Sequence, residues 1–315
     1  MNEISSQATE FQHPWLVAVW PGMGHVAINA GVYLLSQLGM EQYAEIPEKN
    51  SFDIDHVLIE EGLVQPIRNP RNRLFAWRDP EKKRDLLLFI GEAQPTTGKL
   101  AFCRILIDLA AKLGVEKVFT FAAMATAMNY QNPSQVFGVT TDVENLLRLR
   151  EFNLGVLNDG QIGGLNGILL GAALEKELPA VCLLGEIPQA LSAIPFPKAS
   201  EAILRCFGEM AEIKIDFTEL KRIAEESERQ IDALVEQINR SRELPGEPQE
   251  TEDELNEPPP EEPRLSPEDE TEIERLFEES GKDRSRAFVL KQKLDQLGMF
   301  KDYEDRFLDL FKKPD

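Results

Sequence analysis

The residues best placed for chemistry lie in two glycine-rich turns and beside two carboxylates. Pro21-Gly22-Met23-Gly24-His25-Val26-Ala27 has the G-x-G-x-x-A spacing of a dinucleotide-binding turn. Glycines there permit a tight turn and let a phosphate approach the free amides of the helix that follows. Glu41 and Glu45 fall about where an acid holding a ribose hydroxyl would stand. The same glycines also serve a turn whose only purpose is close packing of strand on helix. The second cluster, Asn158-Asp159-Gly160-Gln161-Ile162-Gly163-Gly164-Leu165-Asn166-Gly167, opens a small-residue helix and carries the same two readings, with close packing favoured.

Acid–base chemistry has few candidates. Glu92 follows Gly91 and Glu186 follows Gly185, each at the end of an apolar run, where a carboxylate faces a crevice or caps a helix. Of the three histidines, His13 sits in a polar arm and His56 beside Asp55. His25 alone falls in the presumed crevice, at a helix start whose dipole would lower its pKa. Gly91-Glu92-Ala93-Gln94-Pro95-Thr96-Thr97-Gly98-Lys99 lacks the Lys-Ser/Thr ending of a phosphate loop, and the sequence has no G-x-S-x-G or H-E-x-x-H. Cys103, Cys182 and Cys206 form no CxxC pair and read as buried thiols rather than a disulfide or zinc framework. No catalytic set, metal or cofactor is therefore expected. The candidate ligand crevice consists of Gly22, Met23, Gly24, His25, Gly91, Glu92, Gln94, Gly163, Gly164, Asn166 and Glu186.

The elements that would position these residues alternate. Apolar runs at 15–20, 85–90, 117–121, 136–140 and 180–184 read as strands, and amphipathic stretches at about 25–38, 99–113, 143–151, 165–177 and 198–210 as helices. The strands are apolar at consecutive positions, as expected for a mostly parallel sheet buried on both faces: an α/β/α sandwich. Loops at 21–24, 91–98, 122–132 and 185–197 would then converge at the strand C-termini. From 217 to 240, Leu220, Ile223, Ser227, Ile231, Leu234 and Ile238 form a narrow apolar seam. It suits a partner helix or the chain's own domain.

Charge divides the chain further. Its 315 residues carry a net −21, of which residues 243–274 contribute 14 acids against one arginine, with seven prolines and no aromatic residue. Such a segment cannot bury enough apolar surface to order itself. The expected organisation is a flexible arm over 1–13, an α/β domain over 14–242, an acidic Pro-rich linker over 243–266 and a helical appendage over 267–315. Ser266 and Pro267 start the first appended helix as N-cap and N1. The appendage would rest on the 217–240 helix, the α/β domain or a partner. The acidity argues against nucleic-acid and anionic-membrane binding. With no apolar run long enough to span a bilayer and no secretory signal in view, a cytoplasmic protein is expected.

The blocks Pro21-Gly22-Met23-Gly24, Gly91-Glu92-Ala93-Gln94-Pro95, Gly163-Gly164-Leu165-Asn166-Gly167, Leu184-Gly185-Glu186-Ile187-Pro188 and Pro195-Phe196-Pro197-Lys198-Ala199 occur in an order that resembles the proteasome assembly chaperone 2 family. The resemblance covers about residues 14–210. It implies a phosphorylase- and hydrolase-like sandwich, self-association or pairing with a homologue, and a chaperone role toward a protein client. Relatives that bind the proteasome often end in a hydrophobic residue, Tyr and one last residue. This sequence has Pro314 in place of the Tyr, so direct docking by that route is not expected. The leading expectation is a non-catalytic assembly chaperone or scaffold that forms a homo-oligomer through its α/β domain. The alternative is a binder or enzyme of a nucleotide, nucleoside or phosphate in the glycine-rich crevice.

Overall fold

Trp15–Val19 is apolar at every position because both of its faces are covered. Trp15, Val17 and Val19 enter one core, while Leu16, Ala18 and Trp20 enter another on the opposite side of the sheet. In the computed structural model, residues 11–47, 51–53, 57, 59–60, 62–243 and 265–312 are described. Its elements begin with β1 (Trp15–Val19), α1 (Val26–Gln37), β2 (Glu41–Glu45), β3 (Ile59–Glu60), β4 (Leu63–Val64), β5 (Asn72–Trp77) and β6 (Leu86–Gly91). They continue with α2 (Lys99–Lys112), β7 (Lys117–Thr126), β8 (Val136–Thr140), α3 (Val143–Glu151), β9 (Gly155–Val156), α4 (Gly164–Glu175) and β10 (Ala180–Pro188). Helices α5 (Pro197–Ala211), α6 (Thr218–Glu243), α7 (Pro267–Lys282), α8 (Ala287–Gln296) and α9 (Phe300–Asp309) complete the chain.

Eight strands form one sheet in the order β2-β5-β6-β1-β7-β10-β8-β9. Its centre, β6-β1-β7-β10, is parallel. Antiparallel pairs join β5 to β6 and to β2, and β8 to β10. Helices α2 and α4 contribute to one core and α1 and α5 to the other, giving the expected sandwich. Two features depart from the sequence reading. Residues 122–126 and 185–188 are not loop but the paired ends of β7 and β10. Strands β2, β5 and β9 went unread because they lie toward the sheet's ends and their apolar pattern is short or broken by charge.

The appendage rests on the α/β domain. Phe288 of α8 meets Tyr33 of α1 edge-on at 4.8 Å between centroids, and Phe311 meets Phe75 of β5 at 6.4 Å. The Gln42 N–H of β2 donates to the Phe311 carbonyl at 2.8 Å. Ser266 caps α7 as expected, its Oγ accepting the Asp269 N–H at 3.1 Å. The α6 seam turns toward its own chain. Leu220, Ile223 and Ile231 are buried in the α1–α5 core, and among the seam's described apolar side chains Leu234 is exposed. The Ile238 side chain, most of the arm and linker, His56 and Pro314 lie outside the described residues.

Candidate functional site

Candidate residues from the two glycine turns do meet at the strand C-termini, where several of their polar groups bond within the chain. Gly24 adopts φ +59°, a left-handed conformation that favours glycine. Its N–H donates to the Ser192 carbonyl at 2.8 Å, and the His25 N–H donates to the Gly22 carbonyl at 3.0 Å. The Gly24 and His25 amides are thus taken. Glu41 and Glu45 lie on β2, three strands from β1, whereas a ribose-binding acid requires the neighbouring strand. Glu45 instead pairs with Arg71 at 2.6 Å, and that hydrogen bond holds its carboxyl below the usual range. These contacts favour the packing reading of this turn over the dinucleotide one. Met23 stands half exposed at its tip.

Gln94 joins the two glycine turns. Its Nε2 donates to the Pro21 carbonyl at 3.1 Å, and its Oε1 accepts the Leu165 N–H at 3.3 Å. The N-terminus of α4, with Gly163 as its N-cap, is closed by this amide. A side chain on Gly164 would strike Gln94 Oε1 at 2.8 Å. Asn166 keeps a buried Oδ1 without a partner. At Gly91 an added Cβ would lie 2.5 Å from the indole of Trp20, which is itself buried. Gly91→Ala should therefore destabilise the chain by about 1–3 kcal/mol, measured by chemical denaturation, because neither ring nor strand has room to yield.

Glu92 is buried and neutralised. Arg68 Nη2 donates to both its oxygens at 3.0 and 2.9 Å, the Arg71 N–H donates at 2.8 Å, and Arg73 Nη1 lies at 3.5 Å. Glu186, at the other end of the row, accepts the Thr126 hydroxyl at 2.7 Å. The two carboxylates are held by different partners and do not form a common acid–base pair. Burial lowers the His25 pKa, opposed by Asp295 and reinforced by Lys291 of α8. Burial also pushes the Cys103 and Cys182 thiols up to about 12 and Cys206 to about 11, as structural thiols require.

A dense cluster of ion pairs lies where no motif points. Arg68, Arg71 and Arg73 converge on Asp305 of α9, Arg68 at 2.5 Å and Arg71 at 2.8 Å. Burial would raise the Asp305 carboxyl, but the Arg71 hydrogen bond and the three guanidinium charges leave it below its ordinary value. Lys301 donates to the Glu92 carbonyl at 3.2 Å and to Glu304 at 2.8 Å. The only signal in the sequence was the run Arg68-Asn69-Pro70-Arg71-Asn72-Arg73 within an acidic protein.

Glu304 behaves oppositely to its neighbour. Burial raises its pKa, and Glu92 adds to the rise against Lys301 and Arg73. A carboxyl raised in the folded state favours folding below its free pKa and loses that contribution as pH climbs through the folded value. Glu304→Gln should therefore melt higher than the parent chain at pH 7, with the gap closing on acidification. A variant less stable at pH 7 would show instead that the Lys301 pair dominates.

Family comparison fits this architecture. The PAC2 family model matches residues 16–235, which is most of the chain and all of its sheet from Leu16 on. The chain belongs to the PAC2 family. Among solved structures, a PAC2 family protein from Streptomyces avermitilis is 28% identical with a TM-score of 0.61, covering 70% of this chain and 95% of that one. Pyrococcus furiosus PbaB, an archaeal proteasome activator, is 24% identical with a TM-score of 0.61, covering 71% and 94%. An uncharacterised protein of Methanocaldococcus jannaschii is 24% identical over 70% of this chain and 82% of its own length. The family match stops within α6, so α7–α9 lie beyond the matched PAC2 region. Among the described residues no helix is long and apolar enough to cross a membrane.

Proposed function

We propose that this PAC2 protein is a non-catalytic assembly chaperone or scaffold that binds protein partners and self-associates through its α/β domain. The observation that carries the reading is the internal use of the crevice. Glu92 neutralises arginines, Gln94 closes the α4 N-terminus, and the Gly24 and His25 amides bond to backbone carbonyls. A site built for a nucleotide or phosphate leaves such groups free for the ligand. Two PAC2-fold relatives support a role with protein partners, the archaeal proteasome activator above and a Mycobacterium tuberculosis proteasome-assembly chaperone homologue with a TM-score of 0.61.

The surface we assign to self-association is the β3–β4 hairpin. Ile59, Leu63, Val64 and Ile67 are each 66–70% exposed, an apolar group that a monomer would leave in water. Light scattering should give a mass that is a multiple of 35.6 kDa. Leu63→Asp with Val64→Asp should reduce it to the single chain without changing the circular dichroism. A single-chain mass for the parent protein at micromolar concentration would overturn self-association.

A further inference from the structure

The arginine-lined face beneath α9 has the properties of a receptor. Arg68, Arg71 and Arg73 gather on and just before β5 in a chain of net charge −21, beside the apolar anchor Phe75. What fills this face is an acidic helix, with Asp305 and Asp309 one turn apart and Phe307 and Phe311 buried alongside. The fit is incomplete. Arg73 has no exposed side-chain surface, yet its Nε and Nη1 make no hydrogen bond. One Asp309 oxygen, 4.0 Å from Arg73 Nη2, is also buried without a hydrogen-bond partner. Buried donors and acceptors left unpaired weaken an interface by their full desolvation cost. The resident helix therefore occupies the face without satisfying it.

We propose that this face is a receptor for an acidic amphipathic helix carried by a protein partner, and that α9 occupies it in cis until such a helix displaces it. The proposal rests on the reading of the chain as a protein-binding chaperone and adds the class of segment it recognises: carboxylates four residues apart, each followed two residues later by phenylalanine. The 4.0 Å gap at Asp309 adds a further requirement. Glutamate, one methylene longer, would bring its carboxylate into hydrogen-bond range of Arg73. A displacing helix is thus expected to carry Glu where α9 carries Asp309.

The test uses a fluorescein-labelled peptide of residues 298–312 carrying Asp309→Glu, titrated by anisotropy against full-length protein. Full-length Asp305→Lys, whose own helix is repelled while the receptor is unchanged, should bind the peptide at least about tenfold tighter than the parent. Phe311→Ala, which weakens the apolar anchor and leaves every arginine in place, should show a gain in the same direction. Adding Arg68→Glu and Arg71→Glu to Phe311→Ala, where Asp305 is kept and is itself repelled, should weaken binding by about thirtyfold or more. The natural peptide sequence should bind less tightly than the Glu form. The proposal is overturned if neither opened variant binds the peptide, or if binding ignores the arginines. Mass measured on the same samples reports self-association separately, so the failure of one reading is distinguishable from failure of the other.

Discussion

Asp305→Lys is expected to release α7–α9 from the α/β domain, weakening its docking by about 3–5 kcal/mol, the range for breaking a buried ion pair from one side. The parent carboxylate receives Arg68, Arg71 and the fully buried Arg73. Lysine removes the common acceptor and adds a fourth cation among three. The remaining carboxylates nearby cannot compensate. Glu92 is already committed to Arg68 and the Arg71 amide, and Asp309 approaches Arg73 only at 4.0 Å. A loss of that size shifts the docking equilibrium by about two to three and a half powers of ten. Hydrogen exchange should therefore accelerate in α8 and α9, while β1, β7 and β10, paired with strands on both sides at the centre of the sheet, keep their protection. Unchanged protection in α9 would mean that Phe288, Phe307 and Phe311 hold the module without the charges.

The second large effect is expected at Glu92. Glu92→Ala should destabilise the folded chain by about 3–5 kcal/mol, because it leaves Arg73 buried with less counter-charge and Arg68 without its two-oxygen acceptor. Arg73→Leu in the same chain should recover part of the loss, since a buried pair replaced by apolar side chains costs far less than a buried charge left alone. A double-mutant cycle by chemical denaturation measures this coupling. A carboxylate held ready for acid–base work would be replaceable with little cost in stability, as functional groups often are. Glu92→Ala within 1 kcal/mol of the parent would thus return Glu92 to the list of functional candidates and weaken the structural assignment.

The outcome at each candidate residue shows what spacing does and does not encode. The glycine turn after β1 was correctly placed between strand and helix, because Pro-Gly punctuation and apolar periodicity are local. Its meaning was not local. Whether the Gly24 amide meets a phosphate or the Ser192 carbonyl depends on residues 168 positions away. The same holds for Glu45, whose distance from β1 is set by two intervening strands, of which β5 gave no clear signal in the sequence. The α6 seam was legible as apolar, but amphipathic periodicity does not say which surface it covers. Leu220 and Ile231 found α1 and α5, and Leu234 found water.

By itself the sequence determined the sandwich, since strands apolar at every position fold only where both faces are covered. It also determined the start of the appended helices, through the signal at Ser266 and Pro267, and the burial of Cys103 and Cys182, whereas Cys206 stays partly exposed. Only the tertiary structure decided where the tail rests and what the carboxylates do. Arg73 and Asp305 are 232 residues apart. Neither residue type nor local spacing relates such positions. Their pairing follows from the sheet order that brings β5 beside β6 and from the apolar anchors that bring α9 down upon both. The charges of this acidic protein were visible from the start, but their pairing arose when folding excluded water from around them.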